Sequence, residues 1–258
     1  MAEPAKAKWT RLASLGLVLA GLGPTLMLIA GLLFGLDISE DLVFFLGVAV
    51  IAFLGAFLVW RFGTWSKFVG ILAGVLVGMA MFWTAFGLAE PASFFDFVPG
   101  ILVLPGALIA IGASIAALLA ARKGRLTDRP EAGERRGIQV VLGLVALLAL
   151  VSAALNLFTR PTASADEAQS TIAMKDFEFG EDSYQVAAGS KVFVDNDDPF
   201  FHTFTVDGLD IDEGFVGGSS KIVTIPEEPG EYVLYCKPHT SDVEDPGEDD
   251  MATRITVT

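Results

Sequence analysis

The chain has 258 residues, 53% of them hydrophobic, with a mean hydropathy of +0.57 and a net charge of −14. Such hydropathy belongs to a membrane class rather than to ordinary soluble domains. The acidity excludes nucleic acid as a partner, because phosphate contacts are made by Lys and Arg.

Five apolar stretches run in chain order: Leu12–Gly35, Leu42–Trp60, Phe68–Leu88, Val98–Ala121 and Ile138–Phe158. Each is close to the roughly 20 helical residues that cross a hydrocarbon core, and none has a charged residue inside it. They predict a bundle of five transmembrane helices over residues 1–159, with lipid as its surroundings. Loop charge orients the bundle. Lys6, Lys8 and Arg11 precede the first span, Arg61 and Lys67 follow the second, and Arg122, Lys123, Arg125, Arg129, Arg135 and Arg136 follow the fourth. The other two connections carry Asp37, Glu40 and Asp41, then Glu90 and Asp96. Basic loops stay in the cytoplasm, so the N-terminus is expected inside and the C-terminus outside, in a multi-pass cell-membrane protein.

A basic start makes the first stretch resemble a cleaved signal peptide, but its length and the four later spans make it a signal anchor. At the fifth span, Arg135-Arg136 before it and Ala163-Ser164-Ala165 after it resemble a signal peptide with a small-residue cleavage site. Arg160 and Pro161 interrupt that pattern; cleavage near Ala165, releasing an outer domain, is the alternative. Within the spans the polar residues include Thr25, Thr84, Ser114, Ser152 and Asn156. No ionisable group marks a transport path or proton relay. Gly70, Gly74 and Gly78 repeat at four-residue spacing, as close helix packing requires.

Residues 160–170 form a polar, small-residue linker across which composition changes abruptly. The part before Arg160 has a net charge of +2 and the part from Arg160 onward −16. Residues 171–258 then read as short strands: Thr171–Phe179, Tyr184–Ala187, Lys191–Asp195, His202–Val206, Lys221–Ile225, Tyr232–Cys236 and Ala252–Thr258. Gly, Pro or the turn-forming Asn196-Asp197-Asp198-Pro199 separates most of them. The pattern predicts an all-β, two-sheet sandwich.

That segment holds the chain's one cysteine and both its histidines, in the order His202, Cys236, His239, with Met251 beyond. One thiolate, two imidazoles and a thioether are the donor set of a mononuclear blue-copper centre. Taken singly, a cysteine on a strand is more often a buried small hydrophobe, and His202 beside Phe200 and Phe201 an ordinary half-buried histidine. An unpaired thiol outside the membrane is nonetheless exposed to oxidation and has no disulfide partner.

The segments KVFVDNDDPFFHTFTVDG, PGEYVLYCKPH and MATRITV resemble the cupredoxins of the plastocyanin and halocyanin type, over roughly residues 170–258. The resemblance implies a Greek-key sandwich holding one type 1 copper, with His202, Cys236 and His239 in a trigonal plane and Met251 as axial ligand. It implies that the backbone N–H of Thr203 donates to the thiolate. Pro238 would stiffen the Cys236–His239 turn. In the family the axial Met follows the last His after a few residues; here TSDVEDPGEDD intervenes, an insertion with six carboxylates. Met251 as a plain core residue, with the axial position empty or held by a backbone oxygen, is the alternative, and Met174 a distant one. The acidic insertion is a solvated surface, a guide for a basic redox partner, or a weak hard-cation site.

The expected function is one-electron transfer on the outer face of the membrane, with a partner presenting a basic docking surface. A dimetal copper centre needs two cysteines, and copper-oxidase catalysis needs more histidines, so no enzyme is expected. The rival readings are copper capture and delivery, a transporter or sensor with a copper-binding regulatory domain, and a copper-free structural sandwich.

Overall fold

The computed structural model describes residues 8–34, 41–123, 132–244 and 250–258. Lys6, Asp37, Glu40, Arg125 and Arg129 of the loop-charge pattern, and Asp245, Glu248 and Asp249 of the insertion, lie outside the described residues. Two compact units result: Met1–Ala89 with Asp96–Val151, and Glu90–Phe95 with Ser152–Thr258.

The apolar region is helical: α1 (Lys8–Phe34), α2 (Asp41–Arg61), α3 (Ser66–Ala80), α4 (Phe94–Arg122) and α5 (Ala132–Thr159). Four of these helices are long and apolar enough to span a bilayer. The third apolar stretch departs from expectation. α3 stops at Ala80, Met81 leaves helical geometry (φ −107°, ψ 18°), and a 3-10 helix over Phe82–Ala89 follows at a 57° bend. The Met81 carbonyl accepts both the Thr84 N–H at 3.0 Å and the Thr84 hydroxyl at 2.7 Å, which secures the tightened turn. Hydropathy is blind to such a break, since both pieces are equally apolar. Counting the bent pair as one span gives five. The glycine stripe lies against α4: a Cβ on Gly74 would sit 2.8 Å from Ile111 Cγ1, and one on Gly78 would sit 3.3 Å from the Ala107 Cβ. Small residues there let the two helix backbones approach closely.

The other unit holds nine strands among the described residues. They are β1 (Ser170–Lys175), β2 (Glu178–Phe179), β3 (Ser183–Val186), β4 (Lys191–Asn196), β5 (His202–Val206), β6 (Ile211–Phe215), β7 (Ser220–Thr224), β8 (Gly230–Tyr235) and β9 (Ala252–Val257). One sheet has the order β2-β1-β4-β7 and the other β3-β9-β8-β5-β6; β1/β4 and β3/β9 are parallel and the remaining pairs antiparallel. Alternating residues such as Ile172, Met174, Val192 and Val194 of one sheet bury with Leu234, Ile255 and Val257 of the other. β5 differs: all five of its residues are buried, so His202 is held on a strand covered on both faces.

Two readings of the sequence are corrected. The run Thr171–Phe179 is a hairpin, not one strand: Asp176 and Phe177 both take left-handed φ (55° and 62°) and turn the chain between β1 and β2. β6, unread in the sequence, is an edge strand whose Asp212 and Glu213 are exposed, as carboxylates on an edge are. The stretch read as a polar linker is partly ordered. Ala163 N–H donates to Ser220 O at 3.1 Å and Ser220 N–H to Pro161 O at 3.0 Å, so the segment pairs with the start of β7. Backbone pairing of this kind needs no side-chain pattern, which is why composition did not reveal it.

Candidate metal centre

Three chain segments meet at one end of the sandwich. The loop from β4 to β5 delivers His202. It is pinned by the fully buried Asn196, whose Nδ2 donates to the carbonyls of Phe200 (2.8 Å), Phe215 (3.2 Å) and Val216 (3.3 Å), and whose Oδ1 accepts the Asp198 N–H (3.0 Å). Gly218, at φ 71°, donates its N–H to the Asp198 carbonyl at 3.0 Å. A side chain would be strained in that conformation.

β8 ends at Tyr235, and Cys236 follows it as the cap of the 3-10 turn Lys237–His239, which has Pro238 in its first turn. His239 N–H donates back to Cys236 O at 3.0 Å, which fixes the separation of the two side chains. Met251 enters from the third segment. Its carbonyl accepts the Cys236 N–H at 2.9 Å and its N–H donates to His239 O at 3.0 Å, so its backbone is locked between the other two. The insertion closes at its neck, where Ser241 N–H donates to Asp250 Oδ1 (2.7 Å) and the Thr240 hydroxyl to Met251 O (2.9 Å).

The donor atoms converge. His202 Nδ1 and His239 Nδ1 are 3.0 Å apart, and Cys236 Sγ lies 3.6 Å from the first and 3.3 Å from the second. Cys236, His202 and Met251 are buried and His239 is half-buried. A first-row cation bound at about 2.0 Å to nitrogen and about 2.3 Å to sulfur separates such donors by roughly 3.3–3.8 Å, so the residues fit a metal after shifts of a few tenths of an ångström. The donor set is chemically selective too: a thiolate with imidazoles and a thioether suits copper. Thr203 N–H donates to Cys236 Sγ at 3.3 Å, as the resemblance implied.

Around the donors, the Phe177 ring stands edge-on to both imidazoles, 5.5 Å from His202 and 5.0 Å from His239, and packs on Phe200 at 5.2 Å. Asp198, buried, was read in the sequence only as a turn residue. Its Oδ2 lies 2.8 Å from His202 Nε2. The signal available was an acidic residue four positions before a histidine, which is indistinguishable from turn chemistry until the loop is folded.

The electrostatics follow from these contacts in the metal-free chain. Burial pulls the His202 pKa down, but the hydrogen bond to Asp198 and the contact with Cys236 outweigh it and push it up to about 9. For His239, burial and then the charge on His202 act together, and the pKa falls to about 3. Asp198 is raised by burial but ends below the ordinary carboxylate range, through the His202 hydrogen bond and the N–H groups of Phe177 and Asp176. Two imidazole nitrogens 3.0 Å apart cannot both be charged, and His202 keeps the proton.

Comparison with known proteins adds a match to one domain. Residues 146–244 match the model described as a cupredoxin-like domain, a span that includes His202, Cys236 and His239 and stops before Met251. Among solved structures, 94 chains match. A copper-containing nitrite reductase from Thermus scotoductus SA-01 shows 21% identity over 39% of this chain and 25% of its own, with a TM-score of 0.28. A purple cupredoxin from Nitrosopumilus maritimus shows 14% identity over 35% of this chain and 100% of its own, with a TM-score of 0.27. A single-site variant of amicyanin shows 18% identity over 38% and 92%, with a TM-score of 0.30. The chain thus spans about a quarter of the length of the nitrite reductase. Among curated proteins, none matches. The assignment rests on the family match and the donor geometry rather than on these likenesses.

Proposed function

We propose that this chain, which carries a cupredoxin-like domain at residues 146–244, is a membrane-anchored type 1 copper protein that transfers single electrons on the outer face of the membrane. The observation that carries the reading is the convergence of Cys236 Sγ with two histidine Nδ1 atoms, capped by the Thr203 N–H on the sulfur. His202, Cys236 and His239 hold the metal, with Met251 supplying the weak fourth donor. Copper bound there supplies a Cu(II)/Cu(I) couple whose ligands suit both oxidation states.

The residues around the site keep rearrangement small. Asn196 and the Cys236–His239 turn fix the donors before the metal arrives. Phe177 and Phe200 exclude water from the imidazoles, and the Thr203 N–H stabilises negative charge on sulfur. Five apolar stretches support residues 1–159 as a multi-pass anchor, and the alternation of basic and acidic loops supports an N-terminus inside with residues 171–258 outside. The net charge of −16 from Arg160 onward favours a redox partner with a basic docking face. In this reading the protein is a carrier and not an enzyme.

The test is visible absorption and EPR of the full chain in lipid nanodiscs after copper loading. A strong thiolate-to-copper band, absent in Cys236→Ser, is the expected result. A colourless chain without stoichiometric copper would sink the proposal, and copper that leaves readily to a modest chelator concentration would favour capture and delivery instead.

A further inference from the structure

We propose that Asp198 is a positioning residue: its buried carboxylate fixes His202 in the tautomer that turns Nδ1 to the metal, lowers the reduction potential of the centre, and clamps the Asp176–Phe177 turn over both imidazoles. The inference rests on the copper reading above for its second part and on geometry alone for the others. Asp198 is 1% exposed, and its two oxygens take three donors. Oδ1 accepts the Asp176 N–H at 2.8 Å; Oδ2 accepts the Phe177 N–H at 3.0 Å and lies 2.8 Å from His202 Nε2.

A carboxylate accepts and does not donate, so His202 must donate from Nε2. In the neutral ring that a metal requires, the proton therefore stays on Nε2 and the Nδ1 lone pair faces Cys236 Sγ and His239 Nδ1. A hydrogen bond from the far nitrogen to a carboxylate also raises the basicity of the ligating one. A fixed anion one ring away favours the higher charge of the oxidised ion, so both effects lower the potential. The same carboxylate secures a turn made of two residues with positive φ, neither of them glycine. Left-handed backbone is unfavourable for such residues, so it persists here because the two N–H groups have a buried charged acceptor. Asp198 therefore couples one ligand's tautomer to the aromatic wall that shields both.

The isosteric variant Asp198→Asn keeps one acceptor oxygen and removes the charge. The chain has two histidines, so selective 15N-histidine labelling of the full chain in nanodiscs yields two resolvable rings. In the metal-free wild type the Nε2 proton of His202 is expected to exchange slowly with water, and in D198N about tenfold faster, with parallel loss of protection at the Asp176 and Phe177 amides. In the copper-loaded chain the potential of D198N is expected to move upward. A folded D198N with unchanged potential and unchanged exchange would overturn the proposal. If D198N does not fold, the wild type decides: a His202 Nε2 proton exchanging as fast as that of His239 overturns it, and a protected one supports it. A wild type that binds no copper refutes the proposed function, while the exchange arm still rules on Asp198.

Discussion

Replacing Asn196 by alanine removes the side chain that ties the β4–β5 loop to its surroundings. The amide makes two good donations, spread over three carbonyls at 2.8, 3.2 and 3.3 Å, and accepts one N–H at 3.0 Å, all at a fully buried position. Each such bond contributes about 1 kcal/mol net, and a buried group left without its partner costs about 1–3 kcal/mol. With partial relaxation, three bonds give a loss of about 3–5 kcal/mol. That is a large part of the roughly 5–15 kcal/mol available to a domain, and it corresponds to a fall in Tm of roughly 15–30 °C for a unit of this size. The assay is built into the composition: Tyr184, Tyr232 and Tyr235 are the chain's three tyrosines, while Trp9, Trp60, Trp65 and Trp83 all precede residue 90. Near-UV tyrosine signals of the metal-free chain thus follow the sandwich alone. Lys191→Ala, at an exposed position of the same strand, is the control and should stay within about 0.5 kcal/mol of wild type. An Asn196→Ala domain that melts within a few degrees of wild type would show that these bonds do not hold the loop.

Met251→Leu conserves volume at a buried position, so it should cost less than about 1.5 kcal/mol while raising the reduction potential and altering the visible spectrum. An unchanged spectrum and potential would remove Met251 from the ligand set. Metal-free stability should depend on pH through both histidines. The contribution of His202, whose pKa rises from 6.5 to about 9 on folding, is complete below pH 6.5 and lost as the pH climbs through 9. That of His239, whose pKa falls from 6.5 to about 3, is complete above pH 6.5 and lost as the pH drops toward 3. Tyrosine-detected melts should therefore decline across pH 6.5–9; a rise over that interval would contradict the assigned proton.

The donors were legible because cysteine and histidine are so scarce here that their order along the chain already narrows the chemistry. Hydrophobic runs located the helices, yet they could not show the break at Met81, where both flanks are equally apolar. The pattern of short runs between turn residues placed β5 and the core strands. It missed β6, whose exposed carboxylates belong to an edge, and the β1–β2 turn, where an aspartate and a phenylalanine occupy a conformation usually given to glycine or asparagine. Asp198 was hidden for a different reason. Its partners Asp176 and Phe177 lie more than twenty residues upstream, and no local pattern records a contact that exists only once β1 and β4 have paired.

The complete burial of the chain's lone thiol has a kinetic consequence. A maleimide cannot reach Cys236 while His202, His239 and Met251 surround it, so each labelled molecule records one opening of the site. When reclosing outpaces reaction, the labelling rate divided by that of a free thiol equals the fraction of time the site stands open. One cysteine thus makes the native protein its own gauge of local unfolding, with no engineered probe and no second thiol to confuse the count.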